Sequence, residues 1–171
     1  GSCGFSCIDD THSMVGGHGF PQGDKGSGAW FGLQAVEQVL LSLDGLAEPT
    51  LMSEVLLKNL HCNNDTDLVE AVVNQKATFY GQHANLVFNA AELGDKIALA
   101  IVDEGAAYIN TMARMLAAKN PPRMSILGGL TPRLKPWLAS DINTLLEEAL
   151  NPAEVGSVIF ARQQEAKQSI L

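Results

Sequence analysis

Nine of the sixteen glycines in this 171-residue chain fall between Gly1 and Gly32, and that crowding constrains the fold more than any other feature. Glycine takes positive φ without steric cost and lets backbone approach backbone closely, so such a stretch suits turns and loops rather than a long helix or a regular central strand. Two β-compatible stretches, Cys3 to Ile8 and His12 to Val15, run between the glycines, and Asp9-Asp10 can join them as a turn. The chain is therefore expected to open as a hairpin. Behind it, a loop carries glycine at positions 16, 17, 19, 23, 26 and 28. Chemistry is expected there, because that backbone can lie against a ligand.

From Trp30 the pattern becomes helical. Trp30, Leu33, Val36, Leu40 and Leu43 recur at three- and four-residue steps opposite Gln34, Gln38 and Ser42, until Asp44-Gly45 stops them. The spacing predicts a helix from Ser27 to Leu43. Further helices are expected over Leu51 to Leu60, Thr66 to Gln75 and Thr78 to Ala91. The longest is expected from Asp95 to Lys119, with Ile97, Ile101, Tyr108, Met112 and Met115 on one face and Asn120-Pro121-Pro122 as its end. Gly105 is the weak point of that helix, and its methionines read as a core stripe rather than a pocket lining. Residues from about 46 to 120 thus form a helical block.

Beyond the block, Arg123 to Leu127 reads as a strand delivering the chain to Gly128-Gly129, and Leu134 to Leu150 as helical in part. Val155 to Ala161 is an apolar run that periodicity leaves open between strand and helix. The order of hairpin, helix, helical block, strand and helix predicts an α/β fold, a mixed sheet with helices packed on it.

Composition removes several classes of function. Hydrophobic residues at 46% against 18% charged argue against disorder, and no run of eighteen apolar residues offers a membrane span. Eleven Lys and Arg against nineteen Asp and Glu leave a net charge of −8 with no basic cluster, so nucleic acid is not an expected partner. Cys3, Cys7 and Cys62, odd in number, fit reduced thiols and a cytoplasmic setting. Cys3, Cys7, His12 and His18 place only four residues between the two pairs, where a zinc finger needs about twelve. Cys3 and Cys7 read instead as two small core residues on one strand face. A P-loop, a dinucleotide fingerprint and a nucleophile elbow are all missing from the sequence. The opening Gly-Ser-Cys, without an initiator Met, is expected of a processed chain or of a piece of a longer one.

Asp24 is the acid of interest, since it sits inside the glycine loop just before a helix. There it can stabilise the helix macrodipole, or accept paired hydrogen bonds from the hydroxyls of a polyol, each carboxylate oxygen having two lone-pair sites. His18 can donate to the same ligand or be an ordinary loop histidine.

The run GGHGFPQGDKGSGAWFG from Gly16 to Gly32 resembles the G-G-x-G stretch and the following G-D-E-G-S-[GA]-x-W-[LI]-[GA] signature of the N-acetylglucosamine and glucosamine kinases. These belong with the activator ATPases of acyl-CoA metabolism, in the superfamily of hexokinase, actin and the heat-shock chaperones. Gly1-Ser2 resembles the end of the family's phosphate-contacting G-T-G-S turn. Ser125 to Leu130 resembles its adenosine-contacting strand and glycine pair, and Asn151 to Ala161 its closing segment. Lys25 stands where the signature has Glu, Phe31 where it has Leu or Ile, and Ser157 where the closing segment has Ala, in a segment one residue longer.

The resemblance implies the C-terminal RNase-H-like lobe of an ATP- and Mg2+-dependent amino-sugar kinase spanning residues 1–171, with a mixed sheet flanked by helices and the helical block inserted. It implies Gly17, His18, Gly19 and Asp24 at the sugar, Gly1 and Ser2 at ATP phosphate, and Gly128, Gly129 and Leu130 at the adenosine. A catalytic base is not among them, since the family carries it in an N-terminal lobe absent from this chain, so this piece alone is expected to be inactive. It also implies a homodimer, a final helix over Val155 to Gln164 and a short strand near Leu145 to Ala149. At Lys25 a positive charge would favour ionised Asp24 and could help place phosphate, or be merely solvated. The alternatives are an activator ATPase of the same superfamily, whose iron-sulfur cluster needs cysteine ligands, and a non-catalytic module that binds sugar or dimerises.

Overall fold

In the computed structural model, which describes residues 1–168, the chain opens as the expected hairpin. Strand β1 (Cys3–Ile8) pairs antiparallel with β2 (Thr11–Gly16), in register from Cys3 opposite Gly16 to Ile8 opposite Thr11. Asp9 and Asp10 both take positive φ, at 47° and 62°, which gives a two-residue turn a twist matching that of the strands. Gly4 and Ser6 face inward, and the Ser6 and Ser13 hydroxyls lie 2.6 Å apart across the pair. The inner face is so close to the long helix below it that a Cβ on Gly4 would sit 2.8 Å from Leu116 Cδ1. Alternation then turns Cys3, Phe5 and Cys7 outward. Both cysteines are exposed, which corrects the reading of them as core residues.

Helix α1 (Gly28–Leu43) starts at Ser27, whose hydroxyl accepts from Trp30 N at 3.3 Å. It runs through the middle of the helical block and touches each of its members: α2 (Met52–Leu60), α3 (Asp65–Val72), α4 (Ala77–Gly81), α5 (Ala84–Glu92) and α6 (Lys96–Ala117). Phe31, Phe88, Met52, Leu56, Leu68, Val39, Val87 and Val102 are its most completely enclosed large side chains, and Phe31 packs between Trp30 and Phe88 with centroids 5.1 and 4.9 Å away. The helix expected over Thr78 to Ala91 is broken in two. Its break follows the point where α1 lies closest, since a Cβ on Gly32 would fall 1.8 Å from Tyr80 O and Gly28 packs against Gly81. Along α6 the buried face is Ala98, Ile101, Val102, Gly105, Ala106, Met112 and Leu116. Met115, expected on that face, is 52% exposed.

Past α6 the expected mixed sheet is not formed among the described residues: the hairpin is the sheet, and Arg123 to Leu127 contributes a single parallel bridge, Met124 with Leu146. Glu147 N donates to Met124 O at 2.8 Å. α8 (Ser140–Leu145) ends immediately before Leu146, so the residues ahead of the bridge are helical. Before it come the short α7 (Thr131–Leu134) and a 3-10 turn over Lys135–Trp137. The run left open between strand and helix lies within α9 (Ala153–Gln168), whose Phe160 ring meets Phe5 and His12 at 5.8 and 5.2 Å.

Candidate functional site

The glycine loop between β2 and α1 is built around Asp24. This residue takes φ 61°, a left-handed conformation that residues other than glycine adopt at some cost, and is 8% exposed. Gly19 N donates to Asp24 Oδ1 at 3.3 Å, and the Gly1 amino group lies 3.9 Å from Oδ2. Ser27 N donates to the Asp24 carbonyl at 3.0 Å. Because Ser27 caps α1, the helix start has its own acceptor, and the Asp24 carboxylate is turned to the loop instead.

The chain's first residues join the same cluster. Ser2 Oγ donates to Lys25 O at 2.8 Å, and Gly17 N donates to Ser2 O at 3.0 Å. Gly1, Ser2, Gly17, Gly19 and Asp24 are therefore brought together from two segments of the sequence. A Cβ on Gly19 would meet nothing within 4 Å, so one side of the loop backbone is open. His18 is exposed on the rim, its Cβ 2.9 Å from where one on Gly23 would stand. The Phe20-Pro21 peptide is cis.

Lys25 neither neighbours the Asp24 carboxylate through a bond nor is left to solvent. Its Nζ lies 2.5 Å from Glu104 Oε1 and 5.7 Å from the centroid of the Trp30 ring. Gly26, at φ 79°, sits so close to α6 that a Cβ would be 3.0 Å from Gly105 O and from Ile109 Cγ1. Sequence reasoning did not find Glu104, Gly105 and Ile109 as the floor of this loop. They lie about eighty positions along the chain, on a helix whose pattern signals only its own buried face.

Gly128, Gly129 and Leu130 form the turn between Leu127 and Thr131, which with Ile126 line one side of an open groove of about 600 Å³ whose other side is residues 146–152; the three turn residues do not themselves line it. Gly128 has φ 126°, and a Cβ on either glycine would meet nothing within 4 Å. Thr131 N donates to Gly128 O at 3.1 Å to close the turn. Arg133 ties it to α5 through Asn89 Oδ1 at 2.8 Å and Glu92 Oε1 at 3.3 Å, over the Phe88 ring.

Asp95 and His83 are among the groups of the helical block whose titration is displaced. Burial pushes the Asp95 carboxyl up, but hydrogen bonds from Ala98 N, Leu51 N, the Thr50 hydroxyl and Ile97 N outweigh it and leave it below the usual carboxylate value. That carboxylate caps α6 and pins the start of α2 to it. Burial pushes the His83 imidazole down, and its Nε2 has no hydrogen-bond partner among the described residues.

Comparison with known proteins agrees with the motif reading. No family model matches the chain. Over 166 residues, 96% of this chain, it is 31% identical to glucosamine kinase GspK of Vibrio cholerae, of which it covers 56%. A crystal structure of a candidate N-acetylglucosamine kinase from Chromobacterium violaceum superposes with a TM-score of 0.81 at 24% identity, over 88% of this chain and 52% of that one. The chain thus spans about half the length of each relative.

Proposed function

We propose that this chain, a member of the amino-sugar kinase family over the region it covers, is the C-terminal, RNase-H-like lobe of a kinase that uses ATP to phosphorylate glucosamine or N-acetylglucosamine to the 6-phosphate. The observation that carries the reading is the enclosed Asp24 carboxylate, held by Gly19 N beside the Ser2 turn. In this reading it faces the sugar, with the Ser2 turn at the phosphates.

In this reading Asp24 accepts hydrogen bonds from two sugar hydroxyls and so fixes the ring's orientation. Gly17 and Gly19 shape the sugar wall, the open backbone at Gly19 lets the sugar approach, and His18 on the rim is a donor. Gly1 and Ser2 present backbone N–H groups toward the phosphates. Gly128 and Gly129 offer a flat approach for the adenosine, because nothing stands where their side chains would be. ATP with Mg2+, when bound, supplies the phosphoryl group and neutralises its charge in flight. The base that takes the sugar hydroxyl proton belongs to the N-terminal lobe, and closure of the two lobes keeps water from competing as acceptor. No described helix is long and apolar enough to cross a membrane, and the same reading has the protein working in the cytoplasm. Pairing of two copies through the helical block, where Leu46 and Leu93 are 75% and 76% exposed, completes it.

The test is the full-length protein assayed for ATP-dependent phosphorylation of both amino sugars, with Asp24→Asn beside it. Turnover lost in a folded variant supports the reading. Well-folded protein that phosphorylates neither sugar overturns it, in favour of an activator ATPase or a non-catalytic sugar-binding module.

A further inference from the structure

We infer that Lys25 and Glu104 form a positioning clamp that holds the Asp24 loop and the Ser2 turn at a fixed separation. The consequence for substrate rests on the sugar-kinase reading above; the clamp itself does not.

The geometry points to a clamp because Lys25 is held at three places. Its ammonium meets Glu104 at 2.5 Å and stands 5.7 Å over Trp30, while its carbonyl accepts from Ser2 Oγ at 2.8 Å. The residues on either side, Asp24 and Gly26, both take left-handed φ, at 61° and 79°. The backbone therefore reverses at each of them, with Lys25's side chain sent to α6 and its carbonyl to the Ser2 turn. Moving the Lys25 peptide would pull on Asp24 one residue earlier and on Ser2 across the hydrogen bond. Ser2 O in turn holds Gly17 N, so the shift would pass into the glycine run.

The anchor is rigid. Glu104 precedes Gly105, which is pressed against the Phe31 ring in the core, and Gly26 rests on the Gly105 carbonyl and Ile109. At 37% and 52% side-chain exposure the ion pair is partly screened. Such a pair by itself changes an equilibrium by about fivefold at most, with the ring contact adding to it. That is too little to decide whether the protein folds and enough to decide where a loop rests. The Lys25 ammonium is paired with Glu104 and not with the Asp24 carboxylate, so both act on the site as positioning residues.

The experiment uses full-length protein carrying Lys25→Met, Glu104→Gln, or the exchanged pair Lys25→Glu with Glu104→Lys. Each single variant is expected to raise the sugar KM by about fivefold while kcat changes less. The exchanged pair is expected to recover most of the loss, and the thermal midpoint to stay near that of the parent protein. Amide hydrogen exchange is read on the same samples: Gly17 N and Ser27 N should exchange faster in both single variants and recover in the exchanged pair. Unchanged exchange at these two amides, or an exchanged pair no better than the singles, overturns the clamp. A parent protein that phosphorylates neither sugar brings down the kinase reading alone, and the amide exchange still decides the clamp.

Discussion

The edge of the Phe31 ring fills the space that a side chain at position 105 would need: a Cβ on Gly105 would lie 2.5 Å from Phe31 Cζ and 3.1 Å from Trp30 Cζ3. Gly105 is the contact through which α1 settles onto α6, and it also supports the glycine loop at Gly26. Gly105→Ala should gain about 1 kcal/mol of helix propensity and lose about 1–3 kcal/mol to overpacking, for a net destabilisation seen in urea unfolding. A variant more stable than its parent would show that the two helices can separate freely. Gly32→Ala is expected to be worse, since its Cβ would fall 1.8 Å from Tyr80 O and meets backbone that cannot swing aside.

Asp95 joins α6 to the start of α2 with one carboxylate, accepting from Ala98 N at 2.9 Å, Leu51 N at 2.6 Å and the Thr50 hydroxyl at 2.9 Å. Asp95→Ala leaves those donors unpaired and should cost about 2–4 kcal/mol. Asp95 is held below the ordinary 3.8 in the folded state, so its contribution is complete above the unfolded value and is lost as pH falls through the lower folded one. Urea midpoints between pH 5 and about pH 2.5 should drop more steeply in the parent protein than in Asp95→Ala. Parallel slopes would mean that the carboxylate is not held as described.

His83 acts at a higher pH. Its ring packs on Phe79 at 5.1 Å, and burial lowers its value from the ordinary 6.5. The unfolded chain therefore binds a proton more readily, so the stability His83 contributes is full above that value and is lost as pH falls below it. Thermal midpoints followed from pH 7.5 to about pH 5 should decline in the parent protein and flatten in His83→Phe. An equal decline in both would assign the acid sensitivity to other groups.

The thiols should separate by position. Cys3 and Cys7 are exposed on the outer face of β1, whereas Cys62 is half-buried and burial, together with the Asp67 charge, raises its thiol. Alkylation of native protein, followed by peptide mass, should modify Cys3 and Cys7 before Cys62. Modification of Cys62 first would overturn the burial that the fold gives it.

Some of this protein could be read from neighbouring residues alone. The hairpin with its Asp9-Asp10 turn, α1 starting at Ser27 and α6 starting at Asp95 all came from spacing, cap residues and turn residues, because each is decided within a few positions along the chain. Asp24 was marked by its glycine surroundings, and the comparisons support the family to which those glycines pointed. Other features depended on what lies across the fold. Whether Cys3 and Cys7 face the core follows from which side of β1 meets Leu116, and period-two alternation cannot name a side. The break between α4 and α5 comes from the backbone of α1 pressing at Tyr80 and Gly81. Met115 is exposed because the buried stripe of α6 is set by α1, by α5 and, toward its C-terminal end, by the hairpin over Met112 and Leu116, not by where its largest apolar side chains fall.

Lys25 marks the boundary most clearly. That a cation follows Asp24 in a glycine loop before a helix is a matter of order along the chain and can be read there. That the charge leaves the loop for Glu104 and Trp30 is visible only once the chain is folded. One left-handed residue on each side of Lys25 reverses its direction, and the partner waiting there is brought in by packing at Gly26 and Gly105.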